Sequence, residues 1–241
     1  MRQVNRRALP GRAQAYLDRR RQAPDAALNI EHAWKAARQT KAVRAVLQTL
    51  QDMAGVRERC MYCVDSHGSD IEHFWPKGQY PERAFVWPNL LLCCTECGRF
   101  KGSQFPLSVT GQPMLVDPSA EDPWNYLDFD PDTGNLTARY DAACEAPSPK
   151  GECTVQVLQL DRREAMAEGY RRTYGRITAC ISKALAAGAI EPQELAHELR
   201  QTDDHGLLGW CFGAVGARLQ PFRDLRRRAP DAWDACAAVA Q

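Results

Sequence analysis

A chain of 241 residues, 44% hydrophobic and 25% charged, is long enough to bury a core as one large or two small domains. No apolar run approaches the ~20 residues of a membrane span, and the arginine-rich N-terminus lacks the apolar stretch of a signal peptide, so a cytoplasmic protein with no membrane role is expected. A formal net charge of +1 excludes bulk electrostatic attraction as a reason to bind nucleic acid, and the cysteine spacing implies no disulfide framework.

Residues 1–55 read as a helical, arginine-rich region. Arg2, Arg6, Arg7, Arg12, Arg19, Arg20 and Arg21 stand against a single acid, Asp18, which makes a positive arm or helix. Such an arm suits a phosphate backbone or a partner, and equally a solvated face. Pro10 and Pro24-Asp25 suggest separate helix starts. Ile30, Ala33, Trp34 and Ala37, then Val43, Val46, Leu47, Leu50 and Met53, repeat at helical spacing, which predicts a helix over 26–54.

Residues 56–108 carry the chemistry. Cys60-Met61-Tyr62-Cys63 and Cys94-Thr95-Glu96-Cys97 are two Cys-x-x-Cys turns, each able to aim both sulfurs at one ion, and four thiolates suit tetrahedral Zn²⁺. Cys93 competes with Cys94 by position, but only Cys94 leaves the two-residue gap to Cys97. Between the pairs lie Asp70-Ile71-Glu72-His73-Phe74-Trp75-Pro76-Lys77 and Asn89, in an insert longer than a plain zinc ribbon holds. Prolines 76, 81 and 88 punctuate it, and Trp75, Phe85 and Trp87 serve either packing or base stacking.

Residues 109–158 read as a turn-rich β extension. Asp117-Pro118, Asp122-Pro123-Trp124 and Asp132-Thr133-Gly134-Asn135 are turn chemistry, Leu136 to Tyr140 reads as a hairpin strand, and Cys153, Val155 and Val157 alternate in the same way. Residues 159–241 read as helical, with Tyr170, Tyr174, Ile177, Ile181 and Leu185 along one stripe and further segments at Leu195–Leu199 and Trp233–Ala240. Arg226-Arg227-Arg228 reads as a solvated turn, and Cys144, Cys153, Cys180, Cys211 and Cys236 as buried reduced thiols.

The order of Glu72-His73, Asn89 and a helix opening after the second cysteine pair resembles the HNH nuclease superfamily. The neighbouring Ile-Glu-His-Phe-Trp-Pro-Lys, Trp-Pro-Asn-Leu-Leu-Leu, Cys-Gly-Arg-Phe-Lys-Gly and Leu-Val-Asp-Pro segments resemble the HNH proteins of retron-associated and Septu-type anti-phage systems, over residues 60 to about 140. The resemblance implies an α+β fold: a zinc-stapled ββα-metal core between N-terminal helices and a C-terminal helical region, with a small β-hairpin extension. It also implies a metal-dependent endonuclease that cuts DNA, with RNA as the alternative substrate, beside an ATPase partner.

In that reading His73 is the general base that activates water, Asn89 orients it, and Glu72 binds a catalytic Mg²⁺ or Mn²⁺ that stabilises the leaving oxygen. Lys77, Arg99 and Lys101 contact phosphate, the last two near a helix start. The chain departs from the pattern at Gly98, where the family commonly places Asn or His as a second ligand. Asp65, His67, Asp70 or Glu96 then completes the metal site, or phosphate and water do, or activity is lost. A non-catalytic zinc-scaffolded adaptor is the rival expectation.

Overall fold

The computed structural model describes residues 1–22, 29–213 and 215–240, and within it the chain forms two compact units, Val4–Glu121 and Met1–Gln3 with Asp122–Gln241. The unit Val4–Glu121 holds helices α1 (Gly11–Gln22), α2 (Ile30–Ala37) and α3 (Lys41–Ala54), a hairpin of β1 (Asp70–His73) and β2 (Leu90–Cys93), and α4 (Thr95–Lys101). The Pro24-Asp25 helix start and positions 26–28 of the expected 26–54 helix lie outside the described residues.

What remains of that helix is two helices. Thr40 takes an extended conformation and its side chain accepts the N–H of Val43 at 3.3 Å, so a fresh N-cap interrupts the apolar periodicity. Helix α3 buries Val43, Val46, Leu50 and Met53 on one face, and α1 buries Ala13 and Leu17.

The hairpin pairs Asp70 with Cys93, Ile71 with Leu92, Glu72 with Leu91 and His73 with Leu90. Strand β1 alternates, with Ile71 and His73 buried and Asp70 and Glu72 half-buried, whereas all four residues of β2 are buried. A strand covered on both faces explains why Leu90-Leu91-Leu92 shows no alternation in the sequence. Helix α4 opens at Thr95, two residues earlier than expected, because Cys94 is its N-cap: its Sγ accepts the N–H of Cys97 at 3.4 Å. Arg99 and Lys101 consequently stand in its last turn instead of its first.

The second unit contains hairpins β3 (Leu127–Phe129) with β4 (Leu136–Ala138) and β5 (Tyr140–Asp141) with β6 (Ala146–Pro147). Helices α5 (Pro149–Leu158), α6 (Glu164–Ala187), α7 (Pro192–Thr202), α8 (Leu208–Phe212), α9 (Phe222–Arg228) and α10 (Pro230–Val239) follow. The strand expected around Cys153, Val155 and Val157 is helix α5. Ser148 accepts the N–H of Gly151, Pro149 occupies the first turn and Glu152 sits near the positive end of the helix, a start signal that outweighs a three-residue alternation.

Helix α6 buries Tyr170, Ile177, Ile181 and Leu185, and Phe129 and Trp210 pack with Tyr170 and Tyr174 in one aromatic cluster. The arginine run closes α9: Arg227 pairs with Asp224, Arg228 donates to Leu185 O and Arg226 lies over the Trp233 ring. Of the scattered cysteines Cys211 and Cys236 are buried, Cys153 and Cys180 half-buried, and Cys144 exposed on the β5–β6 turn, so the buried-thiol expectation holds for only two of the five. No helix among the described residues is long and apolar enough to cross a membrane.

Candidate metal centre and hairpin site

Cys60 and Cys63 lie in a tight turn closed by the N–H of Val64 on Cys60 O at 2.9 Å, and the N–H of Met61 donates to Leu92 O, which ties this turn to β2. Cys94 and Cys97 come from the end of β2 and the first turn of α4. The four sulfurs lie within 4.8 Å of one another and are buried, with Cys63 Sγ 3.9 Å from Cys94 Sγ. A tetrahedron with Zn–S bonds of ~2.3 Å has sulfur–sulfur edges of about 3.8 Å, so a metal such as zinc fits.

Electrostatics agree. The Cys60, Cys94 and Cys97 thiols hydrogen-bond to Cys63 and hold it well below the usual thiol range, while burial pushes Cys60 up. Cys63 is thus the thiolate of the set in the absence of an ion, with Cys60, Cys94 and Cys97 raised, and a bound dication would supply the counter-charge that lets all four ionise. Cys93 stays outside the set: its Sγ turns to Cys94 O at 3.2 Å.

The hairpin positions the other candidates. Successive residues of β1 leave on opposite faces, so His73 points towards Trp34 and Glu72 towards α4. The His73 ring is 4% exposed, with the Trp34 ring edge-on at 4.4 Å and Nε2 3.0 Å from Ala84 O. A carbonyl only accepts, so Nε2 carries the proton and Nδ1 keeps its lone pair. Burial, reinforced by the charges of Lys77, Lys101 and Arg38, lowers His73 to about 3, so the imidazole is neutral at physiological pH.

Asn89 does not touch His73. Its Oδ1 accepts the N–H of Trp75 at 2.7 Å, and its Nδ2 donates to Trp75 O at 3.1 Å and Arg83 O at 3.0 Å. It fixes the loop that leaves β1. The segment around Asn89 is in turn held by Arg6, whose guanidinium donates to Trp87 O, Pro88 O and Leu90 O and lies over the Trp87 ring. Burial lowers Arg6 only to about 10, so it remains charged. Arg20 lies over the Phe85 ring. Part of the arginine arm is therefore structural, a role composition alone did not signal.

Glu72 and Lys101 form an ion pair. Lys101 Nζ donates to Glu72 Oε1 and to His73 O, both at 2.8 Å, and its side chain is fully buried. The phosphate-contacting role expected for Lys101 is incompatible with that placement. Burial raises the Glu72 carboxyl even though Lys101 pulls the other way. Lys77 pairs with Glu31 at 3.1 Å, and Arg99 is exposed on α4. Phe85 and Trp87 are packed; Trp75 is half-buried under the Arg83 guanidinium, 4.2 Å from the ring centre.

Two of the residues considered as further cation ligands have partners of their own. Asp70 pairs with Arg38 at 2.8 Å and His67 faces Glu58 at 3.8 Å. Among the described residues, the four cysteines alone form a close group of three or more Cys, His, Asp or Glu donors. Mg²⁺ is commonly held by one or two carboxylates with water and phosphate, but here one oxygen of the Glu72 carboxylate is occupied by the Lys101 ammonium and the adjacent position 98 is a glycine with no donor, so the residues present fit such a cation poorly.

No protein-family model matches the chain. Over 113 residues, 45% of the chain, it is 26% identical to the Septu protein PtuB of Bacillus thuringiensis, and the match covers 38% of that protein's length.

Proposed function

We propose that the Val4–Glu121 unit is an HNH-type endonuclease that hydrolyses phosphodiester bonds in anti-phage defence, with DNA as substrate and RNA as the alternative. The observation that carries this reading is the neutral His73 imidazole with its Nδ1 lone pair, fixed beside the Asn89-clamped loop on the hairpin whose second strand leads into the four-cysteine centre. A neutral imidazole is the form that takes the proton of the attacking water, although at about 3 this one accepts a proton less readily than a base poised near the operating pH, which counts against the reading. Asn89 acts through the loop and not on the ring, and Lys77 and Arg99 supply positive charge for the phosphate.

Cys60, Cys63, Cys94 and Cys97 hold a structural zinc that cross-links the first turn to β2 and α4. The resemblance assigns Mg²⁺ or Mn²⁺ to Glu72, but Lys101 occupies one of its oxygens and Gly98 supplies no second donor, so no step is derived through that ion. Similarity to a Septu protein supports the defence role, and the Septu-type resemblance supports a cytoplasmic ATPase partner. The Glu72–Lys101 pair and the burial of His73 favour a second reading, a zinc-scaffolded adaptor that binds without cutting.

The test is cleavage of supercoiled plasmid and of labelled RNA by zinc-loaded protein, with Mg²⁺, with Mn²⁺ and with neither, beside folded His73→Ala. Cutting lost in His73→Ala supports the nuclease. Equal cutting by both proteins removes His73 from the chemistry, and silence of both under every condition, with the partner ATPase added, leaves the adaptor.

A further inference from the structure

The ion pair at the hairpin has a geometric consequence for cations. Glu72 Oε1 is taken by Lys101 Nζ at 2.8 Å, and the same ammonium is fixed a second time by His73 O at 2.8 Å. Glu72 Oε2 faces Gly98: a Cβ built there would lie 3.9 Å from Oε2 and 3.8 Å from Cys93 Sγ, ordinary contact distances. A Cβ is therefore tolerated at position 98, within contact of Glu72 Oε2, yet the chain has none. Gly98 and Lys101 are one helical turn apart on α4, so the helix that withholds a ligand delivers an ammonium to the same carboxylate.

We propose that the Lys101 ammonium permanently takes the place of a divalent cation at Glu72, so that the hairpin site is a built-in ion pair and Lys101 a positioning residue. It holds both the carboxylate of Glu72 and the main chain of the candidate base. A divalent ion held by both carboxylate oxygens would have to share Oε1 with the fully buried ammonium, and one held by Oε2 alone would find no side-chain donor at position 98, where Gly98 stands. This inference deepens the nuclease reading and rests on it for the identity of the site.

The experiment measures Mn²⁺ uptake by the zinc-loaded full chain, from the paramagnetic resonance of free Mn²⁺ and the broadening of amide signals at 71–73 and 97–101. Wild type and Glu72→Gln are expected to take up Mn²⁺ to the same extent, with those signals unbroadened. Uptake by wild type that broadens them and is lost in Glu72→Gln overturns the proposal. Gly98→Asp combined with Lys101→Met supplies the missing donor and removes the ammonium. This variant, checked as folded, is expected to gain a Mn²⁺ site that a third change, Glu72→Gln, abolishes. No gain by the folded double variant also overturns it. Cleavage is read separately: protein that never cuts fails the nuclease reading and leaves the Mn²⁺ result standing, whereas Mn²⁺ at Glu72 fails this inference whatever is cut.

Discussion

Asn89 closes both main-chain polar groups of Trp75, accepting its N–H and donating to its carbonyl, as a neighbouring strand would. The loop after β1 is thereby continued as if it were paired, although no strand lies there. Asn89→Ala leaves three part-buried backbone groups without that partner and is expected to cost about 2 kcal/mol. Asn89→Asp keeps the acceptor but turns a carboxylate towards the Trp75 and Arg83 carbonyl oxygens, so at neutral pH it is expected to be at least as destabilised as Asn89→Ala. Urea unfolding of the three proteins checks the order.

Arg6 predicts a second asymmetry. Its fork reaches three carbonyls at once, and a lysine ammonium at the end of a different stem does not. Arg6→Ala is expected to destabilise by about 3 kcal/mol, with Arg6→Lys recovering less than half. Amide hydrogen exchange at 87–91 should rise in both variants before it rises in α3.

The four-cysteine centre separates adjacent thiols. Cys94→Ala is expected to lose the metal and unfold the segment from Cys60 to Lys101, since structural zinc contributes on the order of 10 kcal/mol. Cys93→Ala should keep one zinc per chain, because its sulfur turns to a carbonyl. Zinc content by atomic absorption, with near-ultraviolet circular dichroism, distinguishes them. Zinc retained by Cys94→Ala would place the centre elsewhere.

His73 sets a pH dependence. Its folded value near 3 lies below its ordinary 6.5, so the unfolded chain binds the proton more tightly between those limits. The neutral ring's contribution is complete above pH 6.5 and is lost as pH falls from there towards 3, to a total on the order of 5 kcal/mol. His73→Gln should flatten the decline in urea midpoint between pH 7 and pH 4. An unchanged slope would show that the ring is not buried neutral.

The sequence alone identified the two Cys-x-x-Cys turns, because metal geometry constrains residue type and spacing locally, and the structure gathers those four sulfurs. It also determined the helical stripe of α6, the hairpin strand at Leu136 and the break in pattern at Gly98. A capping signal was legible at Ser148-Pro149, yet three alternating residues hid it. The tertiary structure alone decided which partner each charged side chain meets. Lys101 and Glu72, or Arg6 and the carbonyls around Asn89, stand far apart in the chain, and no local periodicity encodes a bond between them. Spacing carries a turn or a helix face because those are properties of neighbouring residues. Whether a lysine meets phosphate or closes over a carboxylate depends on what folding packs against it.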